Sequence, residues 1–323
     1  MKREEIRWRG RPFLGNRDQP FLWRHFHNSP MEGNTIIRDL RVLTEDFIPS
    51  RIVHRDGQLK ALRDCLAPVI ESRRPRHSFL YGPPGTGKTC LSLYVVEELK
   101  KAAPIVAGYI NCWQDSTRFR VFHNLLSVLG RFAHRKGTPT DELLEEYRKA
   151  TRGRACVVIL DEIDHLENSD ILYDLLECGA GLVIIANSES ALRPMDSRIQ
   201  SRLTSLERIQ FRPYSTDDLV EILMDRAGYG LVPGAVGVPH LKMIASRAQG
   251  DARAALMMLS WAAQRTEASD LKRIPSHIIE KAFPAMLRDS KHRTLERLTP
   301  HQRIILTVLE SGRKESGGAC QRF

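Results

Sequence analysis

Gly82-Pro83-Pro84-Gly85-Thr86-Gly87-Lys88-Thr89 follows the apolar run Ser78-Phe79-Leu80-Tyr81 and leads into Cys90-Leu91-Ser92-Leu93-Tyr94-Val95-Val96. The octet fits G-x-x-x-x-G-K-[ST] between a strand and a helix, the context that pattern requires. Glycines let main-chain amides close around phosphate oxygens, and the helix start adds N–H groups and a favourable dipole. In such a loop the ammonium of Lys88 neutralises the β- and γ-phosphates, and the hydroxyl of Thr89 ligates Mg²⁺. Gly82, Pro83, Pro84, Gly85, Thr86, Gly87, Lys88 and Thr89 are therefore the candidate ATP/ADP-binding residues.

Outward from the loop, the apolar runs Ile105–Ile110, Cys156–Leu160 and Leu182–Ala186, with the weaker Leu206–Phe211, predict strands. Runs this apolar are buried on both faces, so the fold class is α/β, a parallel sheet flanked by helices. Leu59, Leu62, Leu66, Val69 and Ile70 predict one helix ahead of the loop, and Thr89–Lys101 a second behind it. After Pro213 only helices are expected: Ser215–Arg226, opened by Ser215 and Asp218 in capping-box spacing, then about Pro239–Ala248, Asp251–Arg265 and Ser276–Leu287. These make a small all-helical second domain.

The second carrier of chemistry is Val157-Val158-Ile159-Leu160-Asp161-Glu162, two acids at the carboxyl end of a buried strand, where open α/β sheets bind ligands. Asp161 is expected to hold Mg²⁺, through water, and Glu162 to orient or deprotonate an attacking water. Asp164 serves either beside them or as a helix N-cap. Asn187, ending a third strand, either bonds the γ-phosphate or the water, or is a turn residue.

The chain has 323 residues, 42% hydrophobic and 27% charged, which suits two packed domains and argues against both disorder and a membrane protein. No apolar run reaches the roughly 18 residues of a spanning helix, and Met1–Asp18 carries no signal-peptide core, so a cytoplasmic protein is expected. A net charge of +10 points either to nucleic acid or to a solvated surface. Six cysteines without a C-x-x-C pair encode neither a zinc site nor a disulfide framework, and His25 and His27 stand without companion ligands. Residues 1–30 carry seven Arg or Lys against three acids, with Trp8, Phe13, Phe21, Trp23 and Phe26 between them. That composition fits a DNA-binding arm, or else a leader ahead of a start at Met31.

Taken together, the loop at 82–89, the acids at 161–162, Asn187 as a sensor-1 position and the helical domain behind them resemble an AAA+ ATPase. Phe47-Ile48-Pro49-Ser50-Arg51-Ile52-Val53-His54-Arg55-Asp56, Ile110-Asn111-Cys112 followed by Thr117, and Leu160-Asp161-Glu162-Ile163-Asp164 are similar to the archaeal replication initiators, homologues of origin recognition complex subunit one and cell division control protein six. The similarity spans roughly residues 36–310. It implies an ATPase domain over 36–212, a helical lid over 213–290, a basic extension over 1–35, and over 291–323 the truncated start of a winged-helix domain, on the likeness of Leu298-Thr299-Pro300-His301-Gln302-Arg303-Ile304-Ile305 to its first helix.

The same resemblance makes Gly250-Asp251-Ala252-Arg253 a sensor-2 motif that brings Arg253 onto the γ-phosphate, and Ser201-Arg202 an arginine-finger box, with Arg198 the competing candidate. It relates Asp115–Leu129 to the helix that initiators turn toward DNA, where Arg118 and Arg120 either contact phosphate or are solvated. The implied function is an ATP-dependent initiator, hydrolysing ATP slowly, that binds double-stranded origin DNA and helps load the replicative helicase, with other initiator subunits as further partners and no membrane. A clamp-loader-like ATPase shares the Ser-Arg and Gly-Asp-x-Arg boxes, and a non-catalytic ADP-bound DNA scaffold is the third reading.

Overall fold

The structure is a computed structural model and describes residues 35–71, 75–131, 138–193, 196–203 and 205–285. The basic extension, His25 and His27, and the winged-helix resemblance at Leu298–Ile305 lie outside the described residues.

Five parallel strands, β1 (Ser78–Tyr81), β2 (Val106–Asn111), β3 (Cys156–Asp161), β4 (Gly181–Ala186) and β5 (Glu207–Gln210), lie in the order β2-β3-β4-β1-β5. Parallel neighbours need helical crossovers, which cover both faces of the sheet. Alternation along β3 sorts its residues. Val157 and Ile159 pack with Leu59, Leu62 and Leu66 of α1 (Asp56–Leu66) and with Leu91, Val95 and Leu99 of α2 (Lys88–Ala102). Val158 and Leu160 face the other way, onto α3 (Arg118–Val128), α4 (Thr140–Thr151) and α5 (Asp170–Glu177). By the same alternation Asp161 emerges on the α2 side, where Thr89 lies. Sheet parity, set by apolar residues far from the site, thus decides which helix meets the acid. The short helix α6 (Ser197–Arg202) precedes β5.

The lid comprises α7 (Thr216–Gly230), α8 (Val238–Ala248), α9 (Ala252–Ala268) and a fourth helix, α10, over 276–285. Ser215 caps α7 as its spacing predicts: its hydroxyl accepts from the Asp218 amide at 3.1 Å, and the Asp218 carboxylate accepts from the Ser215 amide at 2.9 Å. Leu219, Leu223, Leu241, Ile244, Met258, Leu259 and Ile279 form the lid core.

The chain from Ile36 to Phe47, ahead of the sheet in sequence, packs on the lid. Ile36 and Leu43 are buried in the lid core, Ile37 bridges Leu231, and the guanidinium of buried Arg226 donates to the carbonyls of Val42 and Phe47 at 3.1 and 3.0 Å. Burying each of those two side chains is worth about 1.5–3 kcal/mol, enough to fix a segment too short to show any period of its own. Two further helices, α4 and α5, carried no expectation. The first helix also ends sooner than its pattern suggests, at Leu66, the apolar residues Val69 and Ile70 continuing in a 3₁₀ turn over Ala67–Glu71.

Candidate nucleotide site

β1 lies between β4 and β5, and the chain leaves its carboxyl end directly into the loop 82–87. Gly85 takes φ +70° and Gly87 φ +91°, left-handed values that side-chain-bearing residues avoid. Space at Gly85 is as restrictive as its backbone, because a Cβ there would stand 1.8 Å from the Asp251 carboxylate of the lid. The lid touches the loop by main chain as well: the Ala252 amide, at the start of α9, donates to the Gly85 carbonyl at 3.0 Å. Asp251 caps that helix, accepting from the Ala254 amide at 2.9 Å.

Lys88 opens α2 and is only 7% exposed. Its ammonium donates to the carbonyls of Gly82 at 2.6 Å and Pro83 at 2.8 Å, and to Asn187 Oδ1 at 3.3 Å. Burial pushes its pKa down to about 8, against the upward pull of Asp161, and Arg253 adds to the depression. A cation surrounded by neutral oxygens and depressed in this way is short of negative charge, which a phosphate group supplies. That deficit is the fit between this loop and a nucleotide.

Asp161 faces the loop from β3. Its Oδ2 accepts from Thr89 Oγ1 at 2.6 Å and from the Tyr109 hydroxyl at 3.1 Å, while Oδ1 accepts from the Glu162 amide at 2.9 Å. Glu162 follows in a left-handed conformation, φ +55°, which turns the chain sharply at the strand tip. Asp164 lies in a 3₁₀ turn and receives the Asn187 amide on Oδ2 at 3.4 Å, tying the β3 tip to the β4 tip. Thr89 and Asp161 are oxygen donors suited to Mg²⁺. Among the described residues no group of three His, Cys, Asp or Glu could hold a metal, so that cation needs phosphate oxygens and water to complete its shell.

The remaining arginines are placed as follows. Arg253 extends from α9 to an ion pair with Glu45, Nε to Oε2 2.7 Å, with both side chains about half exposed. Arg202 pairs with Glu177 at 2.6 Å and lies over the Tyr173 ring, 4.6 Å from its centroid; Arg198 pairs with Asp196 at 2.9 Å. Arg118 is held between Asp174, at 2.6 Å, and Asp141, at 2.9 Å, so it reaches a phosphate only by giving up a carboxylate. Arg120 donates to the Gln114 carbonyl at 2.9 Å and stays exposed. Arg118 and Arg198 share with Tyr173 a surface depression of about 290 Å³, away from the loop 82–89.

Three residues at the site carried no expectation: Tyr109, Glu45 and Arg55. Arg55 is buried, donates to the Thr86 carbonyl of the loop at 3.1 Å and to the Arg212 carbonyl at 2.7 Å, and stacks 3.7 Å over the Tyr214 ring. It thereby ties the phosphate loop to the connection that leads into the lid.

Comparison with known proteins bears on this arrangement directly. Residues 71–192 match the AAA domain model and residues 220–284 the Cdc6 AAA+ ATPase-type lid domain. ORC1-type DNA replication protein 1 of Halobacterium salinarum is 38% identical over 279 residues, covering 85% of this chain and 90% of that protein. This chain belongs to the archaeal Orc1/Cdc6 family of AAA+ replication initiators. Among solved structures, Aeropyrum pernix Orc1 in complex with DNA superposes with a TM-score of 0.78 at 28% identity, over 86% of this chain and 76% of that one. Cdc6p of Pyrobaculum aerophilum gives a TM-score of 0.68 at 27% identity, over 77% and 71%. The Orc1/Cdc6 chain is accordingly a nucleotide-binding AAA+ ATPase of DNA replication initiation, and the sheet and lid described above are those of Orc/Cdc6 structures. Among the described residues no helix is long and apolar enough to cross a membrane.

Proposed function

We propose that this initiator binds ATP with Mg²⁺, hydrolyses it slowly, and uses the nucleotide state to set its grip on origin DNA while the replicative helicase is loaded. The observation that carries this reading is the contact of the α9 amino terminus with the phosphate loop, Ala252 N to Gly85 O at 3.0 Å, together with Arg253 on the same helix. Any group that enters the loop meets the lid.

Roles follow from position. Gly82–Thr89 enclose the phosphates with main-chain amides, Lys88 carries the neutralising charge, and Thr89 and Asp161 hold Mg²⁺. When bound, that ion would supply positive charge to neutralise the phosphates. Glu162 orients the attacking water, and Asn187, already 3.3 Å from the Lys88 ammonium, bonds the γ-phosphate. The Glu45 pair of Arg253 is worth at most about 1 kcal/mol at such exposure, so a buried phosphate outcompetes it. Exchange of Glu45 for phosphate is then the step that couples lid to ligand. Arg202, or Arg198, serves a neighbouring initiator subunit once released from its own acid.

Toward DNA, Arg120 is the better placed phosphate contact on α3, with Arg118 holding that helix against α5 and α4. The likeness to an Orc1 described in complex with DNA supports a duplex partner, and the net charge of +10 agrees with it. Binding of the wild type and of Glu162→Gln to origin-like and random duplexes, with ATP or ADP at fixed salt, tests the proposal. The expected outcome is a nucleotide-dependent affinity in both proteins, with single-turnover hydrolysis lost only in the variant, by about two orders of magnitude or more. Equal DNA affinity in ATP, in ADP and without nucleotide would sink the coupling.

A further inference from the structure

Tyr109 lies on β2, the edge strand of the sheet, in register with Ile159 of β3. Asp161 is two residues further along β3, on the same face and diagonal to Tyr109. The phenol spans that diagonal and stops 3.1 Å from Asp161 Oδ2. That oxygen already accepts from Thr89 Oγ1 at 2.6 Å, and Oδ1 accepts from the Glu162 amide at 2.9 Å.

We propose that Tyr109 is a positioning residue for the magnesium site: its hydroxyl fixes the rotation of the Asp161 carboxylate, so that Thr89 and Asp161 present their oxygens to the cation in one arrangement. The inference rests on the reading of 82–89 and 161–162 as a nucleotide–Mg²⁺ site. A carboxylate has room for about four donors. Three donors from three different elements, α2, β2 and the β3 tip, define its plane and leave one acceptor position for a water of the cation's shell. Without the phenol, the contacts from Thr89 and the neighbouring amide still permit the carboxylate to tilt, and Mg²⁺ is the divalent ion least tolerant of misplaced ligands. Tyr109 is 38% exposed at the sheet edge, and its hydroxyl is what ties it to the site.

Tyr109→Phe keeps the ring and removes the hydroxyl. Binding of a fluorescent adenine nucleotide to the full chain, first in EDTA and then across a Mg²⁺ titration, separates the possibilities. Expected are equal nucleotide affinities for wild type and variant in EDTA, and a half-saturating Mg²⁺ concentration roughly three- to tenfold higher in the variant, the net worth of one ordinary hydrogen bond. Asp161→Asn is the positive control and shifts the midpoint further. An unchanged midpoint in Tyr109→Phe, with Asp161→Asn shifted, overturns the proposal while leaving the site intact. Failure of the wild type to bind nucleotide in either condition overturns the site reading itself, and this inference with it.

Discussion

Lys88 donates its hydrogen bonds inside the protein to neutral oxygens, and its pKa of about 8 has a measurable consequence. A phosphate beside the ammonium raises that pKa in the complex. The attraction is therefore fully present below about pH 8 and fades above it, up to tenfold in affinity per pH unit, until the bound-state pKa is passed. Calorimetric titration with ADP between pH 7 and 10 should show a plateau followed by that decline; an affinity that stays level to pH 10 would contradict the placement of the phosphate on Lys88. Lys88 with Asn187 and Thr89 with Asp161, which the structure brings within hydrogen-bond distance, are singled out in the sequence by a fixed loop spacing and three strand tips, without knowledge of the sheet order. Tyr109 is not. Its partner depends on which strand lies beside β2 and in what register, though a tyrosine and an asparagine on one face of an otherwise apolar strand, Tyr109 and Asn111, were a signal available in advance. The acid partners of Arg118, Arg202 and Arg253 were equally hidden, since each comes from an element distant in the chain.

Between elements, Arg55 joins the start of α1 to the phosphate loop and to the Arg212–Tyr214 connection. Replacement by Met preserves much of the side-chain length but strands two carbonyls away from water. Urea unfolding of Arg55→Met should show a loss of about 2 kcal/mol or more, and the variant should bind ADP more weakly because the Thr86 carbonyl no longer has its anchor. A variant as stable as wild type, with undiminished affinity, would assign Arg55 no such function. At this scale the sequence was most informative where apolar runs are continuous, as in β3 and β4, every residue of which is buried. It was least informative for α4 and α5. Their apolar positions, Leu143, Leu144, Tyr147 and Ala150 in α4, do fall on one face, but among acidic and basic residues that dilute the pattern.

Across the whole molecule, the lid core includes residues from both ends of the described chain, Ile36 and Leu43 meeting Met258, Leu259 and Ile279. Leu43→Ala should cost about 2–5 kcal/mol, the usual toll of removing a fully buried leucine, and heating should then unfold the lid below the temperature at which the sheet gives way. Far-ultraviolet circular dichroism together with hydrogen exchange over 216–285 would detect it; a single transition at the wild-type temperature would show that the segment is a passenger. Domain membership of that segment was illegible, because two isoleucines and a short 3₁₀ turn carry no period, and only the completed lid surface defines where they go. Its location also restricts how the lid can move. The lid joins the sheet through two chain segments, Thr44–Arg55 and Arg212–Tyr214, the first also tied to α7 by Arg51–Asp225 at 3.2 Å and His54–Glu221 at 2.9 Å. Two attachments leave the lid fewer ways to move against the sheet than a single linker would.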